Sequence, residues 1–476
     1  RRLRRRSAQN GRISRNEVNN TDIPLFPLNT VLFPDGYLNL RIFEQRYIDM
    51  VRECSLKACC FGVCLVGNSE DSNRPANHMR VGTTAEICDF STLDEGLLGI
   101  TAYGRQKFTI QKSRSSSHNG TIPHLYSPIT YPLSLALMLI HSASQLLTIA
   151  GGPQRGHDLG NLSIIQDGAL LIEDEQIVAV GTTQDLRTAY PDEPTLDAGG
   201  RVVLPGFVDP HTHLIWAGDR ADEFERRLQG VSYLEILAGG GGILSTVRST
   251  RLSSIDDLQE QARPRLWSMF SHGTTTAEAK TGYGLRTATE LRMLKALLEL
   301  NREGPLEIVP TFMAAHAVPP EYKDHPGKYT ELICESMLPI LAQWWPHHAP
   351  YRAMPFVDVF CETGAFDLEQ SRRILECARD LGFPLKIHAD EFDNLGGAAL
   401  AAELGAASAD HLVATSPADI QALAESETVA VALPATPFGL AEPHYTPAQQ
   451  ILEAGGLLAI ATDLNPGTAW CESMQF

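Results

Sequence analysis

The 476-residue chain reads as an α/β protein whose main body is a (β/α)8 barrel with a small β-sandwich portion, preceded by a small, unrelated β-rich domain. Three observations predict this. Eight short apolar or β-branched runs follow residue 204, most separated by stretches of helical period, and eight is the count a closed barrel requires. A His, Asp, Glu or Lys stands at the C-terminal end of nearly every run, on the face where barrels build their sites. The composition breaks once, at "SRSSSHNGTIPHLYSPITYP", which is rich in Ser and Pro and carries no period.

Composition narrows the function before any motif is read. Hydrophobic residues make up 43% of the chain and charged ones 20%, the balance of a globular protein with a sizeable core. A formal charge of -18 argues against nucleic acid and anionic membrane as partners. The nine cysteines are odd in number and partly crowded into "CSLKACCFGVC", which is no disulfide framework; a reducing cytoplasm fits. Apolar runs fall well short of the ~18 residues that a membrane-spanning helix needs.

Residues 1–20 form a basic arm, with seven arginines and no acid in the first sixteen, expected to be disordered; it has no apolar core of a secretory signal. Residues 21–112 alternate β-type runs with one helical stretch, "FEQRYIDMVREC", whose Phe43, Tyr47, Met50 and Val51 share a face. Residues 113–134 read as a linker. Residues 135–203 hold the small β-sandwich portion, with strands on both sides of "EDEQ". Residues 204–476 hold the barrel. Between its first two strands, Leu258, Ala262, Leu266 and Phe270 repeat at four-residue spacing despite Pro264.

The runs end on chemistry-bearing residues: His211 and His213, Lys280, His316, Glu362, His388 with Glu391, His411, and Asp463. Residues i and i+2 of a strand point the same way, so His211 and His213 can face one ion. His388 and Asp463, from other strands, complete a mixed nitrogen and oxygen set suited to Zn2+ or Fe2+. Cys54, Cys59, Cys60 and Cys64 lack paired CxxC spacing and read as buried thiols.

Two resemblances add to this reading. Residues 23–110, through "PLFPL", "LRIFEQRY" and "GLLGITAYGR", resemble the N-terminal substrate-binding domain of Lon proteases. That implies recognition of unfolded polypeptide and no catalysis; no Walker A loop follows. From about Leu135 onward the chain resembles the imidazolonepropionases of the amidohydrolase superfamily. The motifs are "LPGFVDPHTHLIWAGDRADEFERRLQGVSYLEI", "HGTTTAEAKTGYGL", "AAHAVPPEY", "KIHADEF", "SADHL" and "ATDLNPGT".

This second resemblance implies a TIM-type metal-dependent hydrolase barrel, with the ring amide of 4-imidazolone-5-propanoate hydrolysed to N-formimidoyl-L-glutamate in histidine degradation. It makes His211, His213, His388 and Asp463 the ligands of one divalent ion. Asp463, His411 and Glu391 are the candidates for the base. Arg220 offers a planar fork for the propanoate, Tyr283 and His316 contact ring or propanoate, Glu391 lies at the substrate, and Asn465, Gly467 and Thr468 line the last loop. Homodimerisation is a further family expectation.

Some of these residues have plainer readings. His272 reads as a helix C-terminal cap, Lys280 as structural or electrostatic rather than a metal bridge, and Cys361 with Glu362 as wall residues. The chain starts at Arg and stops at "AWCESMQF", so it reads as a fused product truncated after strand 8, with an uncovered apolar edge. Two other classes stay open: an inert fusion acting only through its Lon-like unit, and another cyclic amidohydrolase or deaminase.

Overall fold

The computed structural model describes residues 23–28, 37–42, 45–57, 60–66, 78–92, 98–110, 114–116, 122–126, 128–129, 137–173, 176–231 and 241–476. The basic arm, Phe43 and Cys59 lie outside them. The chain divides into two compact units, Arg1–Ala136 and Leu137–Phe476.

The first unit is a sheet of β1 (Ile23–Leu28), β2 (Tyr37–Ile42), β3 (Phe61–Val66), β4 (His78–Thr92), β5 (Leu98–Ile110), β6 (Arg114–Ser116), β7 (Ile122–Tyr126) and β8 (Pro128–Ile129). Its order is β2-β5-β4-β3-β1-β7-β6, with β8 on β5. The helix Gln45–Lys57 turns Tyr47, Met50 and Val51 inward, as its period predicts, and the Tyr47 ring lies 4.1 Å from that of Phe26. The stretch 113–134 read as a linker carries β6, β7 and β8; their residues pair into this sheet despite lacking an apolar period, because backbone bonds need none. Cys54 and Cys64 are buried, and burial pushes the Cys64 thiol up to about 11.

The second unit opens with a five-stranded sheet in the order β11-β10-β9-β12, with β13 also on β9. These are β9 (Met138–Leu147), β10 (Ile164–Glu173), β11 (Gln176–Thr182), β12 (Thr195–Asp197) and β13 (Val202–Val203). β10 and β11 are antiparallel around the predicted turn.

The barrel follows as eight parallel strands in sequence order: β14 (Phe207–Asp209), β15 (Thr274–Lys280), β16 (Glu307–Ala315), β17 (Phe356–Cys361), β18 (Leu385–Ala389), β19 (Ser408–His411), β20 (Val429–Ala432) and β21 (Leu457–Ile460). First and last strands meet just past their ends, where Thr212 bridges Leu464 and the His213 N–H donates to the Leu464 carbonyl at 2.8 Å. Asp209 tightens this seam by accepting from the Thr462 N–H at 3.2 Å and the Thr462 hydroxyl at 2.5 Å.

The helix Ile255–Ser271 runs through Pro264 and starts on a capping box between Ser254 and Asp257. It corrects one expectation. Leu258, Ala262 and Leu266 are buried, but Phe270 is exposed and Met269 takes the inward place. Successive four-residue steps overshoot a turn of ~3.6 residues, so the third step leaves the apolar face. His272 ends this helix as predicted: its backbone N–H and ring Nδ1 both meet the Ser268 carbonyl.

Candidate metal centre

Each chemistry-bearing residue emerges at the C-terminal end of its strand. Lys280 and His411 are the last residues of β15 and β19, His388 lies in the last turn of pleat of β18, and His316 and Glu362 directly follow β16 and β17. His411 and Asp463 have φ of 78° and 51°, in the left-handed region that non-glycine residues seldom occupy. Such backbone persists where surrounding contacts hold it, and it clusters at working sites.

Candidate ligand atoms of four residues meet in pairs. Nε2 of His388 lies 3.3 Å from Nε2 of His213, and Oδ1 of Asp463 lies 3.4 Å from Nε2 of His211 and 3.6 Å from Nε2 of His213. The outer nitrogens of two rings are already committed: His211 Nδ1 to Asp410 Oδ2 at 2.6 Å, and His388 Nδ1 to Asp358 Oδ1 at 3.0 Å. With Nδ1 carrying the proton toward a carboxylate, each Nε2 turns a lone pair inward. Lone pairs and a carboxylate oxygen therefore face one another, and His211 Nε2 and Asp463 Oδ1 are buried without a hydrogen-bond partner.

That arrangement fits a cation. Tetrahedral ligands ~2.0–2.1 Å from one ion stand about 3.3–3.4 Å apart, close to the three spacings just given, while His388 and Asp463 fall in separate groups. Burial first, then neighbouring positive charge and the other rings, holds His211, His213 and His388 well below the usual histidine range, so they are neutral and ready to ligate. Among the described residues, the groups able to hold an ion are His211, His213 and His388, and His211, His411 and Asp463.

Around this centre stand the groups that can carry protons. Burial raises Asp463 to about 7 and lowers His411 to about 4. Burial also raises Glu391 well above the carboxylate range, with the Asp463 charge adding to it. Glu391 Oε2 lies 3.7 Å from His411 Nε2. The Thr436 hydroxyl donates to Asp463 Oδ2, which leaves Oδ1 to face the histidines.

One wall is aromatic. The His316 ring stacks on His213 with centroids 4.6 Å apart, and the Tyr283 ring lies 5.2 Å from His316 and 5.9 Å from His213. The loop carrying Tyr283 is clamped by the buried Glu290 carboxylate, which accepts from the N–H groups of Gly282, Gly284 and Leu285 at 2.7 to 2.9 Å. At the mouth, Arg220 donates from Nε to Glu223 at 2.8 Å and lays its guanidinium on Gly467, where a Cβ would overlap Nη1. Asn465 accepts from the N–H groups of Gly467 and Thr468 at 2.8 Å and donates to the Asp463 carbonyl at 2.7 Å. Its amide thus shapes the loop.

All predicted site residues gather at this face. The sequence reading passed over Asp358, Asp410, Glu278, Lys386, Thr436, Asp209 and Glu290. Several had a signal, since a charge inside an apolar strand such as "FVDVFC" needs a partner. Glu362, read as a wall residue, instead accepts from the backbone of Phe392 and Asp393 at 2.9 to 3.3 Å and so fixes the turn after Glu391. Lys280 donates to Glu278 and Asp358 at 2.7 Å each, in keeping with the electrostatic reading that the one-metal resemblance implied.

Comparison with known proteins agrees with this geometry. Residues 168–192 match the bacterial imidazolonepropionase-like composite domain, and residues 194–232 match the amidohydrolase family. Residues 22–148 match the substrate-binding domain of ATP-dependent protease La (LON), a match running past Ala136 into β9. An imidazolonepropionase of Herpetosiphon aurantiacus is 52% identical over 336 residues, covering 71% of this chain and 78% of the relative. One of Chloroflexus aggregans is also 52% identical over 336 residues, covering 70% and 79%. A solved triazine hydrolase variant shares the fold at 17% identity, with a TM-score of 0.50 over 70% of this chain and 73% of that one. On the strength of these long, half-identical matches, and of a barrel whose strand ends carry the motifs, the chain belongs to the imidazolonepropionase family of amidohydrolases.

Proposed function

We propose that this protein hydrolyses the ring amide of 4-imidazolone-5-propanoate to N-formimidoyl-L-glutamate, in histidine degradation, with one Zn2+ or Fe2+ held by His211, His213, His388 and Asp463. The observation that carries this is the meeting of the His211 and His388 lone pairs, each turned inward by a carboxylate at Nδ1, with the His213 ring and the unpartnered Asp463 Oδ1. When bound, the ion supplies the Lewis acidity that lets water attack an amide carbon at neutral pH.

The chain's own residues do the rest. His211 and His388 are held in one tautomer by Asp410 and Asp358. Asp463, His411 and Glu391 are the groups placed to take the proton from the attacking water and return it to the leaving ring nitrogen, and Glu391 Oε2 stands 3.7 Å from His411 Nε2. Arg220 receives the propanoate, and Tyr283 and His316 form the wall against which the ring lies. Gly467 and Thr468 complete the mouth, on the loop that Asn465 shapes.

Metal analysis of the purified protein beside a hydrolysis assay tests the reading. Turnover of imidazolonepropanoate after addition of Zn2+ or Fe2+, with none on hydantoins or guanine, is the expected result. Protein that retains no metal and turns over nothing under those conditions overturns it.

A second role rests on the match of residues 22–148 to the LON substrate-binding domain. In that reading the first unit binds unfolded polypeptide, and retention of a denatured, alkylated protein by the immobilised chain tests it. The imidazolonepropionase family reading adds a homodimer, and the cysteine usage a cytoplasmic location; sedimentation checks the stoichiometry.

A further inference from the structure

We propose that Lys280 is a positioning residue that fixes the histidine ligands by tying together the carboxylates that hold the His211 and His388 rings and the Thr212 backbone between His211 and His213; the inference rests on the metal-site reading above. Its ammonium is buried, 2.7 Å from Glu278 Oε1, 2.7 Å from Asp358 Oδ2 and 3.8 Å from Asp410 Oδ2. Each carboxylate also reaches the ligand set. The second Asp358 oxygen accepts from His388 Nδ1 at 3.0 Å, and Asp410 Oδ2 accepts from His211 Nδ1 at 2.6 Å. The second Glu278 oxygen accepts the N–H of Thr212 at 3.1 Å, between His211 and His213, and the Lys280 N–H itself donates to the Thr212 carbonyl at 3.0 Å.

The strand geometry makes this hub. Glu278 and Lys280 are two residues apart on β15, so both side chains enter the barrel interior from one strand. Asp358 comes from β17 and Asp410 from β19, and only a long cation between them reaches both. Three buried carboxylates so close together repel one another without a positive charge at their centre. Remove the ammonium and Asp358 loses the donor at its far oxygen, so its carboxylate is free to turn and the His388 ring that leans on it follows. Lys386 differs: it touches Asp410 at 3.1 Å but spends its other donors on Ser408 Oγ and the Pro210 carbonyl, so it supports His211 alone.

Co2+ binding to the full chain, followed by its visible absorption, tests the assignment. Lys280→Met is expected to weaken Co2+ binding by about 10–100-fold and to shift the absorption band, as loss of an outer-shell partner does. Lys386→Met should weaken it less. The double variant Lys280→Met with Glu278→Gln removes one charge of each sign and serves where the single variant fails to fold; its Co2+ affinity should fall in the same range. Wild-type affinity and spectrum in both Lys280 variants overturn the role of Lys280 while leaving the metal site intact. Failure of both to fold overturns it in favour of a purely structural lysine. Wild-type protein that takes up no Co2+ overturns the metal-site reading, and this inference with it.

Discussion

Asp463 meets His211 twice: its backbone N–H donates to the His211 carbonyl at 3.1 Å, and its Oδ1 stands 3.4 Å from the His211 Nε2. The contact that closes the barrel between first and last strands is therefore also a contact between two of the proposed ligands. An ion bound there stabilises the seam as well as the site. At a free concentration ~1,000 times its Kd it contributes about 4 kcal/mol to stability, which chelation removes. Thermal unfolding with and without chelator should show that loss, and amide exchange at Asp463 and His213 should accelerate more than in the β17–β18 pairing. Equal exchange in both forms would sink the coupling.

Thr436 decides which oxygen of Asp463 faces the histidines, because its hydroxyl occupies Oδ2. Thr436→Val leaves the carboxylate free to turn about its last bond. Metal affinity and kcat/KM should both fall about 10–100-fold, and Thr436→Ser should restore most of the loss. Valine and serine variants that behave alike would show the hydroxyl to be idle.

Much of this site was legible in the sequence, and the reason is geometric. A parallel barrel puts the end of every strand on one face, so His211, His388, His411 and Asp463 could be placed together from their positions after apolar runs. What remained hidden depends on partners far apart in the chain. Asp358 and Asp410 sit within strands, and nothing local says which ring each one meets. β6, β7 and β8 were missed because their pairing is set by backbone bonds to distant strands, which a Ser- and Pro-rich composition does not advertise. Phe270 failed on periodicity alone.

Arg265 is another residue without a local signal. It is buried with its guanidinium carbon 3.3 Å from the Trp216 ring centroid, and donates to the carbonyls of Leu214 at 3.0 Å and Trp216 at 3.4 Å. Burial lowers it to about 10, so it stays charged at neutral pH. Arg265→Met strands two carbonyls directly after His213 and removes the stacked cation. A loss of about 2–4 kcal/mol in chemical denaturation is expected. A loss under ~1 kcal/mol would mean that water or a shifted loop satisfies those carbonyls.

Arg220 is the residue proposed for the propanoate, and its surroundings suit that role. Glu223 occupies its Nε at 2.8 Å, Gly467 lets the guanidinium lie flat, and among the described residues no protein group accepts from its η nitrogens. A planar fork with two free donors suits the propanoate, and a lysine cannot both keep Glu223 and present two parallel N–H groups. Arg220→Lys should raise KM about 10–100-fold, the worth of a charge-assisted hydrogen bond. If Arg220 binds substrate and transition state alike, kcat should change by less than about threefold. Gly467→Ala should act in the same direction, since its methyl would push the guanidinium aside. The discriminating substrate is an imidazolone whose propanoate is replaced by a neutral amide. Wild type should lose on it what Arg220→Lys loses on the acid, and the variant should lose little more. If the variant still discriminates against the amide as strongly as wild type does, the propanoate is bound elsewhere.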